Sequence, residues 1–293
     1  MQRGPYARGV PTETAELLLD DPDFGDLVLD AVVAGADDGV PVLLLHGWPQ
    51  TTLSWSRVIP PLASSGYRVA AVDQRGYSPG ARPTEVSAYT IDKLMADAVG
   101  ILDSLGWDSA HVVGHDWGAA VGWNLAARRP DLVRSLTALS VPHPRALQAA
   151  FRANDGQREM SEYMTFFRTA PETAAKVLLR DDAAGLRKVY GEHVHAADVE
   201  DYVARFSDPG AMEASLRWYA AMGLGSDRDT PDVAVPTTFV WGSDDVAIGE
   251  TAALACAGHC TAAYEFRPLP GRGHWLPDED PDSVVDAILA RAV

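Results

Sequence analysis

The chain has few cysteines and no long run of apolar residues. Only Cys256 and Cys260 occur among its 293 residues, so at most one disulfide can form. We expect two buried thiols, with a local disulfide as the alternative. No apolar run is long enough to cross a bilayer, and the first residues lack the apolar core of a signal peptide. These absences predict a cytoplasmic protein without a membrane partner.

Positive charge is also scarce. The chain carries 24 lysines and arginines against 41 acidic residues, which gives a formal net charge of −17. Such a balance argues against nucleic acids and anionic membranes as partners. A length of 293 residues with 47% hydrophobic content suits one α/β domain with an inserted subdomain.

Strand and helix patterns alternate along most of the chain. The predicted strands lie at 14–19, 27–33, 42–45, 67–72, 133–139, 237–241 and 264–267. Helices are predicted at 54–63, 91–105, with Thr90 as N-cap, and 282–292. From 142 to 230 apolar residues fall at helical spacing only. The pattern predicts an α/β fold with a mostly parallel central sheet flanked by helices. It consists of a first core segment (1–141), a helical cap (142–230) and a second core segment (231–293).

The segment Gly114-His115-Asp116-Trp117-Gly118 has the form of a nucleophile elbow with Asp in place of Ser. A short apolar run precedes it and a helix-forming run follows, which is the context that such a turn requires. A carboxylate in this position displaces a leaving group from an sp3 carbon and is left as an ester. Asp116 is therefore the candidate nucleophile.

Turnover requires that this ester be hydrolysed, which calls for a histidine oriented by a carboxylate. Hydrolases with such an elbow keep the chain order nucleophile, acid, histidine. Here Asp116 is followed by Asp244 or Asp245 after a later strand, and by His274 in the last loop. The order predicts His274 as the base.

Hydrolysis of the ester also requires donors for the oxyanion. The backbone N–H of Trp117, directly after the nucleophile, is one candidate. The backbone N–H of Trp48, in the loop after the third strand, is the other, and Pro49 is predicted to follow a cis peptide. The helix that starts after Asp116 favours its ionised form.

These motifs resemble those of the α/β-hydrolase-fold epoxide hydrolases, the Asp-nucleophile branch that is related to haloalkane and fluoroacetate dehalogenases. The resemblance runs from about residue 25 to the C-terminus. It rests on His46-Gly47-Trp48-Pro49, Asp73-Gln74-Arg75-Gly76-Tyr77, Gly114-His115-Asp116-Trp117-Gly118 and Gly273-His274-Trp275. It implies the α/β-hydrolase fold and no cofactor. It also favours Asp245 as the acid, because Gly-x-x-Asp, counted here from Gly242, is usual in that fold.

The resemblance further implies two cap tyrosines that stabilise the oxygen of the opening epoxide. Tyr219 matches the later cap motif and Tyr163 resembles the earlier one. A phenol suits this role because it can give its proton to a strongly basic oxygen. The residues expected to line the pocket are Trp48, Trp117, Phe167 and Trp218.

The resulting hypothesis is an epoxide hydrolase that uses no metal or cofactor and converts an apolar epoxide and water to a vicinal diol, as a monomer or homodimer. One alternative is a haloalkane or haloacid dehalogenase with the same nucleophile. Trp48 replaces an Asn of many haloalkane dehalogenases, and Trp117 replaces an Arg of fluoroacetate dehalogenases. The other alternative is a non-catalytic ligand-binding protein. His193 and His195 are interpreted as surface residues of the cap.

Overall fold

A twisted β-sheet runs through the protein, whose computed structural model describes residues 11–153 and 156–292. The eight strands of this sheet lie in the order β1-β2-β4-β3-β5-β6-β7-β8. β1 and β2 are antiparallel to their neighbours, and the pairings from β4 to β8 are parallel. The strands are β1 (Thr12–Leu19), β2 (Leu27–Ala34), β3 (Val40–Leu45), β4 (Tyr67–Val72), β5 (Ala110–His115), β6 (Val133–Leu139), β7 (Thr237–Gly242) and β8 (Tyr264–Leu269).

Helices cover both faces of the sheet and fill the segment between β6 and β7. They are α1 (Ile59–Ser64), α2 (Ile91–Ser104), α3 (Trp117–Arg128), α4 (Pro144–Ala153), α5 (Gln157–Met160), α6 (Tyr163–Thr169), α7 (Pro171–Tyr190), α8 (Ala196–Phe206), α9 (Ala211–Ala220), α10 (Glu250–Ala255), α11 (Leu276–Glu279) and α12 (Pro281–Arg291). Residues 180–183 interrupt α7 with non-helical backbone angles. The described residues contain no helix long and apolar enough to span a bilayer.

Side chains of the central strands alternate between two hydrophobic cores. Val42 and Leu44 of β3 belong to the core beneath α1 and α12, whereas Leu43 and Leu45 belong to the core beneath α2 and α3. Residues 42–45 are therefore buried on both faces, which explains why the strand is a continuous apolar run. The mostly parallel α/β sheet expected from the sequence is confirmed.

The segment between β6 and β7 forms only helices in its described residues, α4 to α9. This agrees with the absence of strand patterns there. The helical segment α4 to α9 is called the cap below, while a cap domain with the limits 142 and 230 stays a prediction. Thr90 is the N-cap of α2, although its hydroxyl makes no capping hydrogen bond. Cys256 and Cys260 are both free thiols, so the local disulfide is wrong.

The single helix predicted over 54–63 is wrong. The structure has a 3-10 turn at Thr52–Trp55, capped by the side chain of Thr51, and the separate helix α1. Two prolines stand in the first turn of α1, where their missing N–H groups are not needed. Because proline also restricts the backbone before it, one continuous helix through this segment is disfavoured.

Candidate active site

The turn between β5 and α3 holds Asp116 in a strained conformation, with φ 51° and ψ −116°. Glycines make this turn possible. A Cβ at Gly118 would lie 2.0 Å from the backbone oxygen of Leu45, and one at Gly47 would lie 2.3 Å from the Asp116 Cβ. The crowding aims the carboxylate away from the sheet, and Asp116 remains only 8% exposed. The turn has the shape of a nucleophile elbow.

His274 and Asp245 lie beside this carboxylate. The His274 Nε2 is 3.5 Å from Asp116 Oδ2, and its Nδ1 is 2.8 Å from Asp245 Oδ2. Asp245 Oδ1 accepts the backbone N–H groups of Ala247 and Ile248 at 2.7 and 3.0 Å. These bonds fix the carboxylate, which in turn fixes the orientation of the imidazole.

The neighbouring Asp244 lies elsewhere. Its backbone N–H donates to Arg272, and its exposed side chain accepts a hydrogen bond from the Ser243 hydroxyl at 2.8 Å. The structure thus places Asp245, and not Asp244, against His274. The β7 end turns the two consecutive side chains in different directions, one towards the interior and one towards solvent.

Electrostatics make Asp116 and His274 an ion pair. Burial disfavours charge on His274, but the carboxylates of Asp245 and Asp116 outweigh it and raise the pKa of His274 to about 10. Burial likewise opposes ionisation of Asp116, yet the hydrogen bond and charge of His274 hold its pKa below the usual value. The free protein therefore holds a carboxylate that is ready to attack and an imidazolium beside it.

The loop after β3 supplies a backbone donor to the nucleophile. The N–H of Trp48 donates to Asp116 Oδ1 at 2.8 Å, and the Trp48–Pro49 peptide is cis, as predicted. Trp117 is the first residue of α3, so its N–H has no acceptor within the helix. The Trp48 N–H thus already contacts one oxygen of the nucleophile, and the Trp117 N–H, which directly follows Asp116 in the chain, is available as a second donor.

His46 fastens this loop to the next strand end. The Gln74 N–H points at His46 Nε2, which leaves the Nδ1–H to donate to the Gly47 carbonyl at 3.0 Å. Burial lowers the pKa of His46, in agreement with this neutral form. The Gln74 side chain also donates to the His46 carbonyl at 2.6 Å. These hydrogen bonds anchor the loop that carries the Trp48 amide to the core.

Two tyrosines of the cap face the carboxylate. Tyr219 lies within α9 and is 2% exposed, whereas Tyr163 begins α6 and is 39% exposed. Their ring centroids are 6.3 Å apart, and the rings meet edge to face. Burial, reinforced by the Asp116 carboxylate, raises the pKa of both phenols. Both are therefore protonated and can donate.

Two adjoining cavities of about 240 and 90 Å³ meet at Asp116, and Tyr163 and Tyr219 line both. Trp48 and Phe167 line the larger cavity, together with His274. Trp117 lines the smaller one. Their remaining walls consist mainly of apolar side chains: Val141, Leu147, Met160, Met164, Val189, Met222, Val246, Ala247, Ile248 and Trp275.

Trp218 lines neither cavity. Its indole N–H donates to the Arg75 carbonyl at 2.8 Å, and the residue is 1% exposed. It borders a third cavity of about 140 Å³, on the far side of Trp117. The largest groove, about 710 Å³, lies over β1 and β2 and contains none of the predicted site residues.

Two contacts of His274 were not assigned from the sequence. The His115 Nε2–H donates to the His274 carbonyl at 2.8 Å, and the Ser140 hydroxyl donates to the same oxygen at 2.7 Å. Burial lowers the pKa of His115 to about 4, so its ring is neutral. His115 lies inside the elbow motif, which was a signal; nothing in the sequence marks Ser140.

The chain is similar in sequence and in structure to several known proteins. Residues 40–281 match the family model of the alpha/beta hydrolase fold. The chain is 34% identical to the AB hydrolase superfamily protein YfhM of Bacillus subtilis, covering 90% of this chain and 93% of that protein. It is 32% identical to epoxide hydrolase A of Mycobacterium tuberculosis, covering 88% and 92%. The crystal structure of epoxide hydrolase A from Mycobacterium thermoresistibile is similar with a TM-score of 0.82 at 28% identity, covering 96% and 98%.

Proposed function

The chain belongs to the epoxide hydrolases of the α/β-hydrolase fold, and we propose that it hydrolyses an apolar epoxide through an ester on Asp116. The observation that carries this mechanism is the convergence of two protonated phenols, Tyr163 and Tyr219, on a cavity floored by an ionised carboxylate. Such a pair suits a reaction in which a carbon is attacked while an oxygen on that carbon must be protonated. The apolar walls favour hydrophobic epoxides.

In the first step Asp116 Oδ2 bonds to an epoxide carbon as the carbon–oxygen bond of the ring breaks. Oδ1 remains bound to the Trp48 N–H, so Oδ2 is the oxygen free to attack. The released oxygen takes a proton from Tyr163 or Tyr219. The imidazolium of His274 then replaces the lost phenol proton through solvent, which leaves a neutral imidazole and a hydroxyalkyl ester.

Formation of the ester prepares the base for the second step. The Asp116 charge is one of the causes that raise the pKa of His274, and esterification removes it. The pKa of His274 therefore falls when a base is needed. Neutral His274, oriented by Asp245, takes a proton from water as the water oxygen bonds to the ester carbonyl carbon. As this adduct collapses, the ester carbon–oxygen bond breaks and the departing alkoxide takes the proton of the adduct's hydroxyl. The diol leaves, Asp116 is again a carboxylate, and His274 remains protonated, which restores the ion pair.

The negative charge that develops in this step falls on Asp116 Oδ1. The Trp48 N–H already contacts this oxygen, and the Trp117 N–H is the second proposed donor. Preformed donors of this kind act strongly in a site that excludes water. No metal or cofactor is required by the proposed steps.

The test uses wild type and His274→Gln with styrene oxide. Wild type should release the diol, and His274→Gln should accumulate an ester, which adds the mass of the epoxide to Asp116 in intact-protein and peptide mass spectra. Asp116→Asn is the control that should gain no mass. If wild type forms the diol but His274→Gln gains no mass, the covalent mechanism is contradicted.

The same preparation should be offered haloalkanes and haloacetates. The dehalogenase alternative has weaker support because the two phenols of Tyr163 and Tyr219, which line both cavities beside Asp116, have no task in the displacement of a halide. Halide release without diol from epoxides would favour that alternative. Absence of turnover and adducts with every substrate would favour the ligand-binding alternative. The cytoplasmic location and a monomeric or dimeric state remain predictions.

A further inference from the structure

Three backbone polar groups around His274, one carbonyl and two N–H groups, are held by side chains from separate parts of the molecule. Its carbonyl accepts hydrogen bonds from His115 and Ser140, at the ends of β5 and β6. The N–H groups before and after it, on Gly273 and Trp275, point away from any strand. Because the imidazole position depends on this short loop, the partners of these two N–H groups bear on the geometry of the base.

Both N–H groups donate to one carboxylate, that of Glu279 at the end of α11. Gly273 N lies 2.7 Å from Oε2, and Trp275 N lies 3.0 Å from Oε1. The Glu279 side chain is 9% exposed. A carboxylate that accepts one N–H on each oxygen fixes two peptide planes at once, and these planes flank His274. These two hydrogen bonds to Glu279 are called the bracket below. Through the bracket the core holds the loop that carries His274.

The cap touches the same carboxylate. His193, in the loop between α7 and α8, places its Nδ1 3.4 Å from Glu279 Oε2. Gly273 leaves the room for this approach, because a Cβ there would lie 2.8 Å from Glu279 Oε1 and 3.2 Å from the His193 ring. His193 is therefore more than the surface residue that the sequence suggested.

We propose that Glu279 is a positioning residue for the catalytic base and that His193 helps to fix the Glu279 carboxylate when the cap is packed on the core. Glu279 keeps the His274 Nε2 beside Asp116 and its Nδ1 on Asp245. It touches neither the substrate nor the reacting atoms. His193 belongs to the cap and contacts Glu279 of the bracket. The position of the cap on the core therefore affects the position of His274 as well as those of Tyr163 and Tyr219.

The inference rests on the proposed function, in which Asp116 attacks the epoxide and His274 takes the proton of the water that hydrolyses the ester. Glu279→Gln removes one of the two acceptors, since its NH2 group opposes a backbone N–H. We expect kcat to fall about 10- to 100-fold, as for a small misplacement of a catalytic group. KM should fall by a similar factor, with kcat/KM within about threefold of wild type, because kcat/KM reports the attack by Asp116. The ester should accumulate in the steady state.

Asp280→Asn is the matched control. Asp280 lies in the same loop, accepts the Ser283 N–H at 3.1 Å and pairs with Arg272 at 2.9 Å, but it does not touch the peptides beside His274. This variant should keep kcat and KM within about twofold. On the cap side, His193→Ala should lower kcat and KM together by a few-fold, whereas His195→Ala should leave both unchanged. A merely structural role of Glu279 would instead lower Tm and kcat/KM without accumulation of the ester.

A second measurement does not depend on turnover. The proton on His274 Nδ1, shared with Asp245, should give a downfield NMR signal in wild type and Asp280→Asn. Glu279→Gln should shift or broaden this signal. An unchanged signal together with unchanged kinetic constants would overturn the inference. A wild type that forms no diol but shows the expected NMR change would overturn the proposed reaction and leave the positioning role standing.

Discussion

The core and the cap hold their functional groups by different means. In the core, Asp116 is fixed by a strained turn between glycines, and Asp245 is fixed by two backbone N–H groups. In the cap, Tyr219 and Tyr163 are placed by side-chain packing, and Tyr163 stands at the first position of a seven-residue helix without a side-chain cap. Backbone geometry has little freedom, whereas packed helices can shift. The core is thus suited to set the chemistry and the cap to adapt to a substrate.

Side-chain contacts, rather than shared strands, join the two regions. Arg205 of α8 donates to Asp73 at 2.9 Å, Trp218 of α9 donates to the Arg75 carbonyl at 2.8 Å, and the Tyr190 hydroxyl donates to the Pro49 carbonyl. Each contact ends on a loop that follows β3 or β4. The cap therefore rests on the loops that shape the oxyanion region, and a change in its seating reaches the site directly.

The sharpest test of a rigid core is Asp245→Asn. The amide keeps the shape of the carboxylate but removes the charge that orients and stabilises the His274 imidazolium, so we expect kcat to fall about 10³- to 10⁴-fold, as in other triads. Asp244→Asn, one residue away on the exposed side, should stay within about twofold. Single-turnover measurements should locate the loss in ester hydrolysis. Equal losses in the two variants would contradict the placement of the acid.

The cap is tested by Tyr219→Phe and Tyr163→Phe. General acids contribute about 10²- to 10⁴-fold, and two phenols share the task here. We expect kcat/KM to fall about 100-fold for Tyr219→Phe and about 10-fold for Tyr163→Phe. Tyr219 is buried within α9 and contacts both Trp117 and Tyr163, whereas the more exposed Tyr163 stands at the first position of a short helix and is held less firmly.

The loss of kcat/KM in the double variant, and the relative size of the losses in the two single variants, test how the cap tyrosines share their task. If one phenol can stand in for the other, the double variant should lose more than the product of the single losses. A larger loss for Tyr163→Phe than for Tyr219→Phe would show that exposure does not weaken a cap group. Rates of ester formation after rapid mixing with excess epoxide provide the measurement.

The difference between core and cap also explains which parts of the fold and of the site can be predicted from the sequence. The ends of parallel strands meet at one edge of a sheet, so chain order alone brought together the segments of Asp116, Asp245 and His274. The burial of Val42–Leu45 on both faces of the sheet likewise follows from the continuous apolar run of this strand. The helix predicted over 54–63 is divided because Pro60 and Pro61 can stand only in the first turn of a helix, whereas the helical spacing of the apolar residues continues across the break.

In the cap, the orientation of each helix depends on packing that the sequence pattern does not contain. Helical geometry still offers partial information. Tyr163 and Phe167 are four residues apart and line the same cavity, as side chains on one helix face do. Trp218 and Tyr219 are consecutive and point about 100° apart, so only Tyr219 reaches Asp116. Glu279 lies outside every motif, which is why only the structure revealed its contacts.

The smallest expected effect concerns the junction of the two regions, at Asp278. Its side chain is 1% exposed, accepts a hydrogen bond from Gln50 at 2.5 Å and lies 3.5 Å from Arg57, which also pairs with Asp198 of the cap. Burial, with a contribution from the Asp198 charge, raises the pKa of Asp278 to about 7. The folded state thus favours the neutral carboxyl, and this contribution is complete below pH 4 and is lost as the pH rises through 7.

Between these limits the unfolded chain has released the proton and the folded chain has not, so the free energy of unfolding falls with rising pH. Asp278→Asn cannot ionise and should remove this slope. We expect the variant to gain about 1–2 kcal/mol relative to wild type on going from pH 6 to pH 8, since one pKa unit lies between pH 6 and the folded-state pKa of about 7 and each unit corresponds to about 1.4 kcal/mol. Denaturant unfolding at both pH values measures the gain, with Asp286→Asn on the exposed face of α12 as control. A variant that loses stability at pH 8 would show that the ionised Asp278 fastens the cap, and the junction would then belong with the rigid core.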